Sequence, residues 1–304
     1  MILVYGTVCL DRINRVPHLP APGRYVEVSE RIESAGGEAL NTAVALVRLG
    51  EQPELISNSL GSGPDARDLA SKVTALGIKE FHAPPGTHDV PVCEIYVTPD
   101  GERTMFGFGF AEMENRSDPR MVLPPGPNLT TVDSNHGRAG LERIRLAREA
   151  GHVVYAMDLA IESRTLSVQD FWQTGAGQAG GPGQTLANLD AVAKRAENYG
   201  VTAIITDGSR GCFVARPGQS GLHLPAFSGI EVRDTTGAGD AFRAGVLYGL
   251  LRSWGLGQCL LLGAAVGALN CRGEGAVAGL PSLEEAEELI AGNPAVSEAH
   301  LRLE

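Results

Sequence analysis

The chain has 304 residues, with 25 Lys or Arg against 36 Asp or Glu, which gives a formal net charge of −11. Nucleic acids and anionic membranes attract proteins chiefly through clustered positive charge, so this balance argues against both as partners. Apolar residues make up 43% of the chain and charged residues 20%, which is typical of a globular protein and excludes extensive disorder. The length favours one large core, and we expect a single domain over residues 1–304.

The sequence predicts a cytoplasmic protein. Residues 1–11 contain a short apolar run that ends at Asp11, with no basic leader, and no run of about 18 apolar residues is present to span a bilayer. The five cysteines are widely separated and form no C-x-x-C pair. This spacing favours reduced thiols over a disulfide framework or a zinc site.

Strands and helices alternate along most of the chain. Short apolar runs predict strands at residues 2–5, 55–57, 129–132, 153–157 and 202–206. Apolar residues at three- and four-residue intervals predict helices at residues 39–49, 65–76, 141–150, 186–199, 238–252, 257–271 and 282–290. Strand–helix–strand units of this spacing indicate an α/β fold with a mostly parallel sheet and helices on both faces.

Three segments depart from this alternation. Residues 24–33 and 91–108 carry alternating or β-branched residues, and Pro99-Asp100-Gly101 divides the second segment as a turn between two strands. They predict a small antiparallel sheet, a lid, with strands within about residues 12–35 and 90–110. Residues 174–184 are rich in glycine and predict a loop, which is either a mobile surface connection or a loop that faces a ligand.

The most informative motif is D-T-T-G-A-G-D-A-F at residues 234–242. Its glycines permit a tight turn and leave backbone N–H groups free at the start of a helix, which is a site for anions. Asp240 lies in the first turn of that helix, where a carboxylate repels phosphate unless it accepts a proton from an attacking hydroxyl. The alternative is a glycine-rich turn in which Asp240 only interacts with the helix dipole.

This string, followed by A-G, resembles the signature of the ribokinase-like (PfkB) family of carbohydrate kinases. The resemblance implies a three-layer α/β/α kinase with a small β lid that uses ATP and Mg²⁺. It implies that Asp240 is the general base, and it places Asp234 near a monovalent-cation site, where K⁺ is the expected ion. It further implies that the transferred phosphate is held by Gly237, Ala238 and Gly239.

Residues 36–50 are similar to a second signature of the same family, G-G-x-x-x-N-x-A-x-x-L-x-x-L-G. Gly36 and Gly37 allow the backbone to approach a ligand, and Asn41 offers a donor and an acceptor to a polyol. Asp11 follows the first predicted strand, at the edge where open α/β sheets bind ligands. By resemblance it is the carboxylate that accepts hydrogen bonds from sugar hydroxyls. In the lid, Arg103 is the candidate partner for an acidic group on the substrate.

The resemblance places the nucleotide against the second half of the chain. The segment T-D-G-S-R-G at residues 206–211 resembles the family's T-x-G-x-x-G turn. The residues assigned to the nucleotide are Thr206, Gly208, Gly211, Thr236 and Gly263. An ordinary strand turn and close helix packing are the alternative explanations for these small residues.

Some positions depart from the family pattern. The family's N-x-x-E motif, which helps to organise magnesium and phosphate, is absent from residues 171–190, where Gln173, Asn188 and Asp190 are the nearest polar candidates. Cys9 and Glu38 stand where ribose kinases commonly have Asn and Lys. These departures weaken a ribose assignment.

The sequence therefore predicts an ATP-dependent kinase that phosphorylates a hydroxyl group of a small neutral sugar. Asp11 and Asn41 suit hydroxyl groups, whereas a sugar acid calls for nearby basic side chains. The alternatives are a nucleoside kinase or a ketodeoxygluconate-type kinase of the same fold, and a catalytically silent sugar-sensing relative. A dinucleotide-dependent dehydrogenase is disfavoured because G-x-G-x-x-G is absent after the first strand. The resemblance also implies a homodimer that associates through the lid.

Overall fold

The computed structural model describes residues 1–99, 102–159, 166, 170–179 and 185–299. Its strands are β1 Ile2–Gly6, β2 Cys9–Arg15, β3 Glu30–Gly36, β4 Glu54–Ser57, β5 Glu80–His82, β6 Val92–Val97, β7 Arg103–Phe108, β8 Leu129–Val132, β9 Val153–Met157, β10 Phe171–Gly175, β11 Thr202–Thr206, β12 Cys212–Ala215 and β13 Leu222–Leu224. Its helices are α1 Glu38–Arg48, α2 Pro64–Ala75, α3 Gly137–Glu149, α4 Ala176–Ala179, α5 Thr185–Tyr199, α6 Ala238–Leu251, α7 Leu256–Asn270, α8 Leu283–Ala291 and α9 Pro294–Ala299.

The main sheet has the strand order β13-β12-β11-β10-β9-β8-β1-β4-β5 among the described residues. Every pair from β11 to β5 is parallel, and β12 and β13 extend the sheet in the antiparallel sense. The carboxyl ends of β1, β8, β9, β10 and β11 therefore meet at one edge of the sheet, where ligands bind in open α/β folds. The predicted mostly parallel sheet is confirmed.

The central strands are buried on both faces and consist largely of apolar residues. In β1, Ile2 and Val4 pack into a core shared with α1, α2, α6, α7 and α8, whereas Leu3 and Tyr5 pack into a second core with α3 and α5. Because successive side chains of a strand point to opposite faces, this division shows helices on both sides of the sheet. The predicted three-layer arrangement is therefore confirmed.

The lid is a separate sheet with the order β3-β2-β6-β7. The prediction of an antiparallel lid is wrong for its central pair, because β2 and β6 run parallel. Residues 24–29 form no strand, and β2 begins at Cys9, before the predicted span of about 12–35. The pattern of apolar residues does not reveal β2, because three charged residues interrupt this strand. One of them, Arg12, pairs with Glu33 at 2.7 Å and Glu94 at 3.7 Å on the neighbouring strands. The predicted turn residues Asp100 and Gly101 lie outside the described residues.

The predicted loop over residues 174–184 is wrong in its first half. Phe171–Gly175 forms a strand between β9 and β11, and Ala176–Ala179 forms one helical turn. Phe171 and Trp172 are buried, and their burial extends the strand into the glycine-rich segment. Residues 180–184 lie outside the described part of the chain.

No disulfide bond joins the five cysteines, all of which lie in the described part of the chain. Within the described ranges, the helices are too short or too polar to cross a bilayer.

Helices α6 and α7 pack against each other at glycine. A Cβ atom on Gly245 would lie 2.7 Å from the Cα atom of Gly263, and one on Gly263 would lie 2.8 Å from the carbonyl oxygen of Phe242. Both distances are shorter than ordinary carbon contacts, so the two glycines let the helix backbones touch. The packing matters for the site, because α6 begins at the G-A-G-D motif.

We expect Gly245→Ala to lower the free energy of unfolding by about 1–3 kcal/mol, because the added methyl group meets backbone atoms that cannot rotate away. Urea unfolding of the purified protein measures this change. Gly292→Ala is the matched control, since a Cβ atom there has its nearest neighbour at an ordinary 3.4 Å. Equal stability of both variants would contradict the packing argument.

Candidate active site

The site lies where the carboxyl ends of β1, β8 and β9 meet the first turns of α1 and α6. Helix α1 packs against α6, and this contact brings two distant motifs together. The Asn41 side-chain amide donates to Oδ2 of Asp240 over 3.0 Å, and the Thr42 hydroxyl donates to the Asp240 carbonyl over 3.4 Å. The structure thus joins the G-G-x-x-x-N and D-T-T-G-A-G-D motifs, as their shared assignment to one site requires.

Asp240 is a buried carboxylate with an exposed fraction of 5%. Burial raises its pKa to about 7, against the opposing effects of the Arg243 cation and the hydrogen bond from Asn41. Asp133 and Asp158, which follow β8 and β9, add to the rise through their charges. A carboxyl group with a pKa near neutrality is suited to exchange a proton with a ligand.

Arg243 is the cation beneath Asp240, one helical turn further along α6 and only 1% exposed. Its Nη2 atom donates to Oδ1 of Asp240 over 3.0 Å, to the Thr42 hydroxyl over 2.6 Å and to the Glu38 carbonyl over 2.8 Å. Nη1 reaches the Thr131 hydroxyl on β8 over 3.3 Å. One guanidinium group therefore ties α6 to both α1 and the sheet.

The G-A-G turn begins α6 in a conformation that needs glycine. Gly237 has a φ of 72°, and a Cβ atom there would lie 2.4 Å from the carbonyl oxygen of Ala276. The N–H groups of the first helical turn, including those of Gly239 and Asp240, have no acceptor within the helix. N–H groups at a helix start suit an anion, and these lie next to the Asp240 carboxyl group.

Gln173 stabilises the G-A-G turn through hydrogen bonds and does not replace the acidic residue of the missing N-x-x-E motif. It is 1% exposed, its amide nitrogen donates to the Gly239 carbonyl over 3.1 Å, and its oxygen accepts from the Tyr155 hydroxyl over 2.6 Å. Among the other candidates for the missing acidic motif, Asn188 donates to Asp207 over 2.9 Å, and exposed Asp190 pairs with Lys194 at 2.6 Å. These three positions therefore have structural partners.

Glu38 is the carboxylate best placed to meet a ligand or a hydrated metal ion. Its Oε2 atom is buried without a hydrogen-bond partner, and its Oε1 atom accepts from Asn135 over 3.4 Å. Burial, with the charges of Asp133 and Asp240, raises the pKa of Glu38 well above its usual range. Within the described residues, no three His, Cys, Asp or Glu side chains are grouped to hold a metal. The donor set fits Mg²⁺ that is held mainly by nucleotide phosphates and water.

Asp11 follows β1, as the sequence predicts, but it lies within lid strand β2. It faces the turn that leads into α1. A Cβ atom on Gly36 would lie 2.0 Å from Oδ2 of Asp11, so glycine leaves room for the carboxyl group. Burial raises the pKa of Asp11 to about 6, while a hydrogen bond from the Cys9 thiol, 3.3 Å long, lowers it. Gly37 has a φ of 107°, and a Cβ atom there would lie 2.3 Å from the Thr7 carbonyl oxygen, so packing against the chain's own backbone requires glycine at this position.

Arg103 does not present a free charge to the substrate pocket. Its Nη1 atom donates to Oδ1 of Asp234 over 2.9 Å, and its Nη2 atom donates to the Thr235 hydroxyl over 3.1 Å. The assignment of Arg103 as a partner for an acidic substrate group is therefore corrected: its charge is already paired. Thr236 is likewise engaged, because its N–H and hydroxyl groups both donate to Asp234.

The expected nucleotide turn follows β11 at the same edge of the sheet. The Thr206 hydroxyl donates to the Thr174 carbonyl on β10 over 3.4 Å, and Gly208 has open space where a side chain would be. Gly211 approaches the Leu224 carbonyl, so its glycine serves the turn itself. Gly263 is buried in the α6–α7 contact, and helix packing accounts for it.

The sequence alone did not indicate that Arg243, Asp133 and Asp158 surround the Asp240 carboxyl group. Arg243 stands three residues after Asp240 on a helix, a spacing that brings side chains together and was a usable signal. Asp133 and Asp158 each follow a predicted strand, which places them at the ligand-binding edge. Asp133 is fixed there, because it accepts hydrogen bonds from the N–H groups of Thr7 and Asn135.

We expect Arg243→Met to raise the pKa of Asp240 by about one unit or more, because it removes the cation that favours the charged form. Carboxyl ¹³C NMR titration of the full chain measures this value, with the Asp240 signal assigned from Asp240→Asn. Arg243→Lys keeps the charge and is the control, with a smaller shift. An unchanged midpoint in folded Arg243→Met would contradict the role of the guanidinium.

Comparison with known proteins supports one family. The model of the pfkB family carbohydrate kinases matches residues 1–122 and 175–283. A Dictyostelium discoideum protein named as an uncharacterized sugar kinase is 26% identical over 95% of this chain and 97% of its own length. The nucleoside kinase of Methanocaldococcus jannaschii is 24% identical over 95% of this chain and 96% of its own length.

The fold is also that of solved kinases. The structure of the Cryptococcus neoformans var. grubii ribokinase in complex with ADP superposes with a TM-score of 0.78 and 21% identity, over 94% of this chain and 98% of that one. The family match covers well over half of the chain. The protein described here therefore belongs to the pfkB family of carbohydrate kinases, which are phosphotransferases that act on an alcohol group.

Proposed function

We propose that this protein transfers the γ-phosphoryl group of ATP to a hydroxyl group of a small sugar, with Asp240 as the general base and Gly237–Gly239 as the anion site. The observation that carries the proposal is the position of Asp240. Its buried carboxyl group, with a pKa of about 7, lies in the helical turn whose free N–H groups suit phosphate. A base and an anion site in contact are what phosphoryl transfer to an alcohol needs.

The transfer follows from this arrangement. The sugar hydroxyl donates a hydrogen bond to Asp240, its proton passes to the carboxylate, and its oxygen attacks the γ-phosphorus atom as the bond to the ADP oxygen breaks. The N–H groups at the start of α6 stabilise the negative charge on the transferred group. Magnesium bound to the nucleotide phosphates neutralises part of their charge when present. Arg243 and Asn41 hold the Asp240 carboxylate in place during the transfer.

The sugar itself is held by oxygen acceptors. Asn41 is 7% exposed, and its Oδ1 atom is buried without a hydrogen-bond partner while its amide nitrogen binds Asp240. Such an acceptor is costly unless a ligand donates to it, and a sugar hydroxyl does so. We assign Asp11, which adjoins Gly36, to further hydroxyl groups of the same sugar.

The remaining assignments concern the nucleotide and the assembly. Thr206 and Gly208 lie at the ligand-binding edge of the sheet, and we assign them to the side of the site that receives ATP.

The lid exposes Ile32, Met105, Phe106 and Phe108, which supports the expected homodimer through this sheet. The acidic composition, and cysteines that form no disulfide bond in the described part of the chain, support a cytoplasmic enzyme without nucleic-acid partners.

A nucleoside is the second candidate acceptor, favoured by the similarity to the Methanocaldococcus jannaschii nucleoside kinase. Its ribose would meet the same acceptors, Asp11 and Asn41. ADP release, measured against a panel of sugars and nucleosides with ATP and Mg²⁺, separates the two acceptor classes. A silent sensor would release no ADP with any of them, and the intact Asp240 site argues against that outcome.

We expect Asp240→Asn to lower turnover about 10²–10⁴-fold, the usual contribution of a positioned general base. The variant should keep its fold and bind ADP, which circular dichroism and calorimetry check. Asp190→Asn is the matched control, because Asp190 is an exposed member of a surface ion pair. Turnover of Asp240→Asn within a few fold of the wild type would refute the assignment of the base.

We also expect a neutral sugar to be the better substrate than a sugar acid. The described site offers carboxylates, whereas Arg243 is buried against Asp240 and Arg103 is paired with Asp234. A substrate carboxylate would therefore meet repulsion instead of a guanidinium partner. Side-by-side values of kcat/KM should be higher for fructose or ribose than for 2-keto-3-deoxygluconate. The reverse order would show that a basic group becomes available on binding.

A further inference from the structure

Two arginines of the lid contact two loops, one that precedes α6 and one that follows α7. Arg103 on β7 pairs with Asp234 at 2.9 Å, and Arg15 on β2 pairs with Glu274 at 2.7 Å. The two loops are themselves joined, because the N–H group of Gly275 donates to Oδ2 of Asp234 over 2.9 Å. Asp234 is therefore the point where the lid and the start of α6 meet.

The resemblance stated above places a monovalent cation near Asp234, but the atoms around this carboxylate are donors. Oδ1 accepts from the Thr236 N–H group at 2.8 Å, from the Thr236 hydroxyl at 2.6 Å and from Arg103 at 2.9 Å. Donor groups direct positive charge at the carboxylate and occupy the lone pairs that a cation needs.

The neighbouring carbonyl groups are engaged as well. The side-chain amide of Asn270 donates to the Thr236 carbonyl over 3.1 Å and to the Ala276 carbonyl over 2.9 Å. A cation such as K⁺ is held by several oxygen atoms that direct lone pairs at it, and here these oxygens face N–H groups. The residues present do not fit a bound monovalent cation.

We propose that the Arg103 guanidinium supplies the positive charge at Asp234 that a monovalent cation would otherwise supply, so that phosphoryl transfer by this enzyme is independent of K⁺. The proposal rests on the proposed function and extends it to the lid. Asp234 begins the D-T-T-G-A-G-D motif. The positive charge of Arg103 therefore orders the anion site only when the lid sheet lies against the loop that contains Asp234. Arg103 is thus a positioning residue that couples the lid to the anion site.

The first test compares kcat/KM, for the sugar found in the panel, in KCl and in tetramethylammonium chloride of equal ionic strength. We expect the two values for the wild type to agree within about twofold. Arg103→Met should lower kcat/KM about fivefold in both salts, as expected for a partly exposed ion pair, because the Thr236 and Asn270 donors still occupy the oxygen atoms that K⁺ would need. Arg103→Lys keeps a positive charge and should stay insensitive to K⁺.

Arg15→Met is the matched control, because it removes the other arginine bridge of the lid but leaves the charge at Asp234. It should show no response to K⁺, whatever its activity. Activation of the wild type by K⁺ of fivefold or more would overturn the proposal. A folded Arg103→Met variant with unchanged kcat/KM, or one that K⁺ restores, would overturn it too.

A second readout does not depend on turnover. The melting temperature of the wild-type chain and that of Arg103→Met should each agree within about 1 °C in the two salts, because neither chain binds K⁺. In both salts Arg103→Met should melt below the wild type, because it loses the contacts of Arg103 with Asp234 and Thr235. A K⁺-dependent rise in the wild type would contradict the proposal. If no sugar or nucleoside supports ADP release, the proposed function fails, while the melting temperatures still decide the role of Arg103.

Discussion

The buried guanidinium of Arg243 is the interaction on which the site depends. A charge taken out of water is tolerated only with well-placed partners, and Arg243 finds them on three elements, in Asp240, in α1 and in Thr131 of β8. These bonds hold the first turns of α1 and α6 together, and that contact places Asn41 against Asp240. The Gly36-Gly37 turn immediately precedes α1 and therefore lies beside the same site. Glycine at position 36 leaves room for the carboxyl group of Asp11.

The site is rich in carboxyl groups, and burial raises the pKa of Asp11, Glu38, Asp158 and Asp240. The effect suits Asp240 to the role of base that we propose for it, because a base acts best when its pKa lies near the working pH. Arg243 keeps that rise moderate, since its charge favours the ionised form. Asp234 has the opposite environment: burial raises its pKa, but hydrogen bonds from Thr236 and Gly275 and the charge of Arg103 lower it overall. The same residue type thus has a raised pKa in the first turn of α6 and a lowered pKa in the loop that precedes this helix.

Much of this arrangement was predictable from local sequence. Strands β8, β9 and β11 match their predictions because buried parallel strands form continuous apolar runs. Strand β2 was missed because its charged side chains form cross-strand ion pairs, a partnership that no local pattern displays. The pairing of Arg103 with Asp234 joins residues that are 131 positions apart, and the packing of Gly263 depends on the approach of a second helix. The Arg103–Asp234 pair and the packing of Gly263 both depend on tertiary contacts. Residue type alone therefore led to a wrong role for Arg103 and left that of Gly263 undecided.

The most direct test of the central claim is a crystal structure with ADP, aluminium fluoride and the sugar identified in the panel, which together mimic the transferring state. The account predicts that the accepting hydroxyl lies about 2.6–3.2 Å from a carboxylate oxygen of Asp240. It also predicts that the fluoride ligands lie against the N–H groups at the start of α6, in line with that hydroxyl. A hydroxyl placed against another carboxylate, with Asp240 still bound only to Asn41 and Arg243, would contradict it.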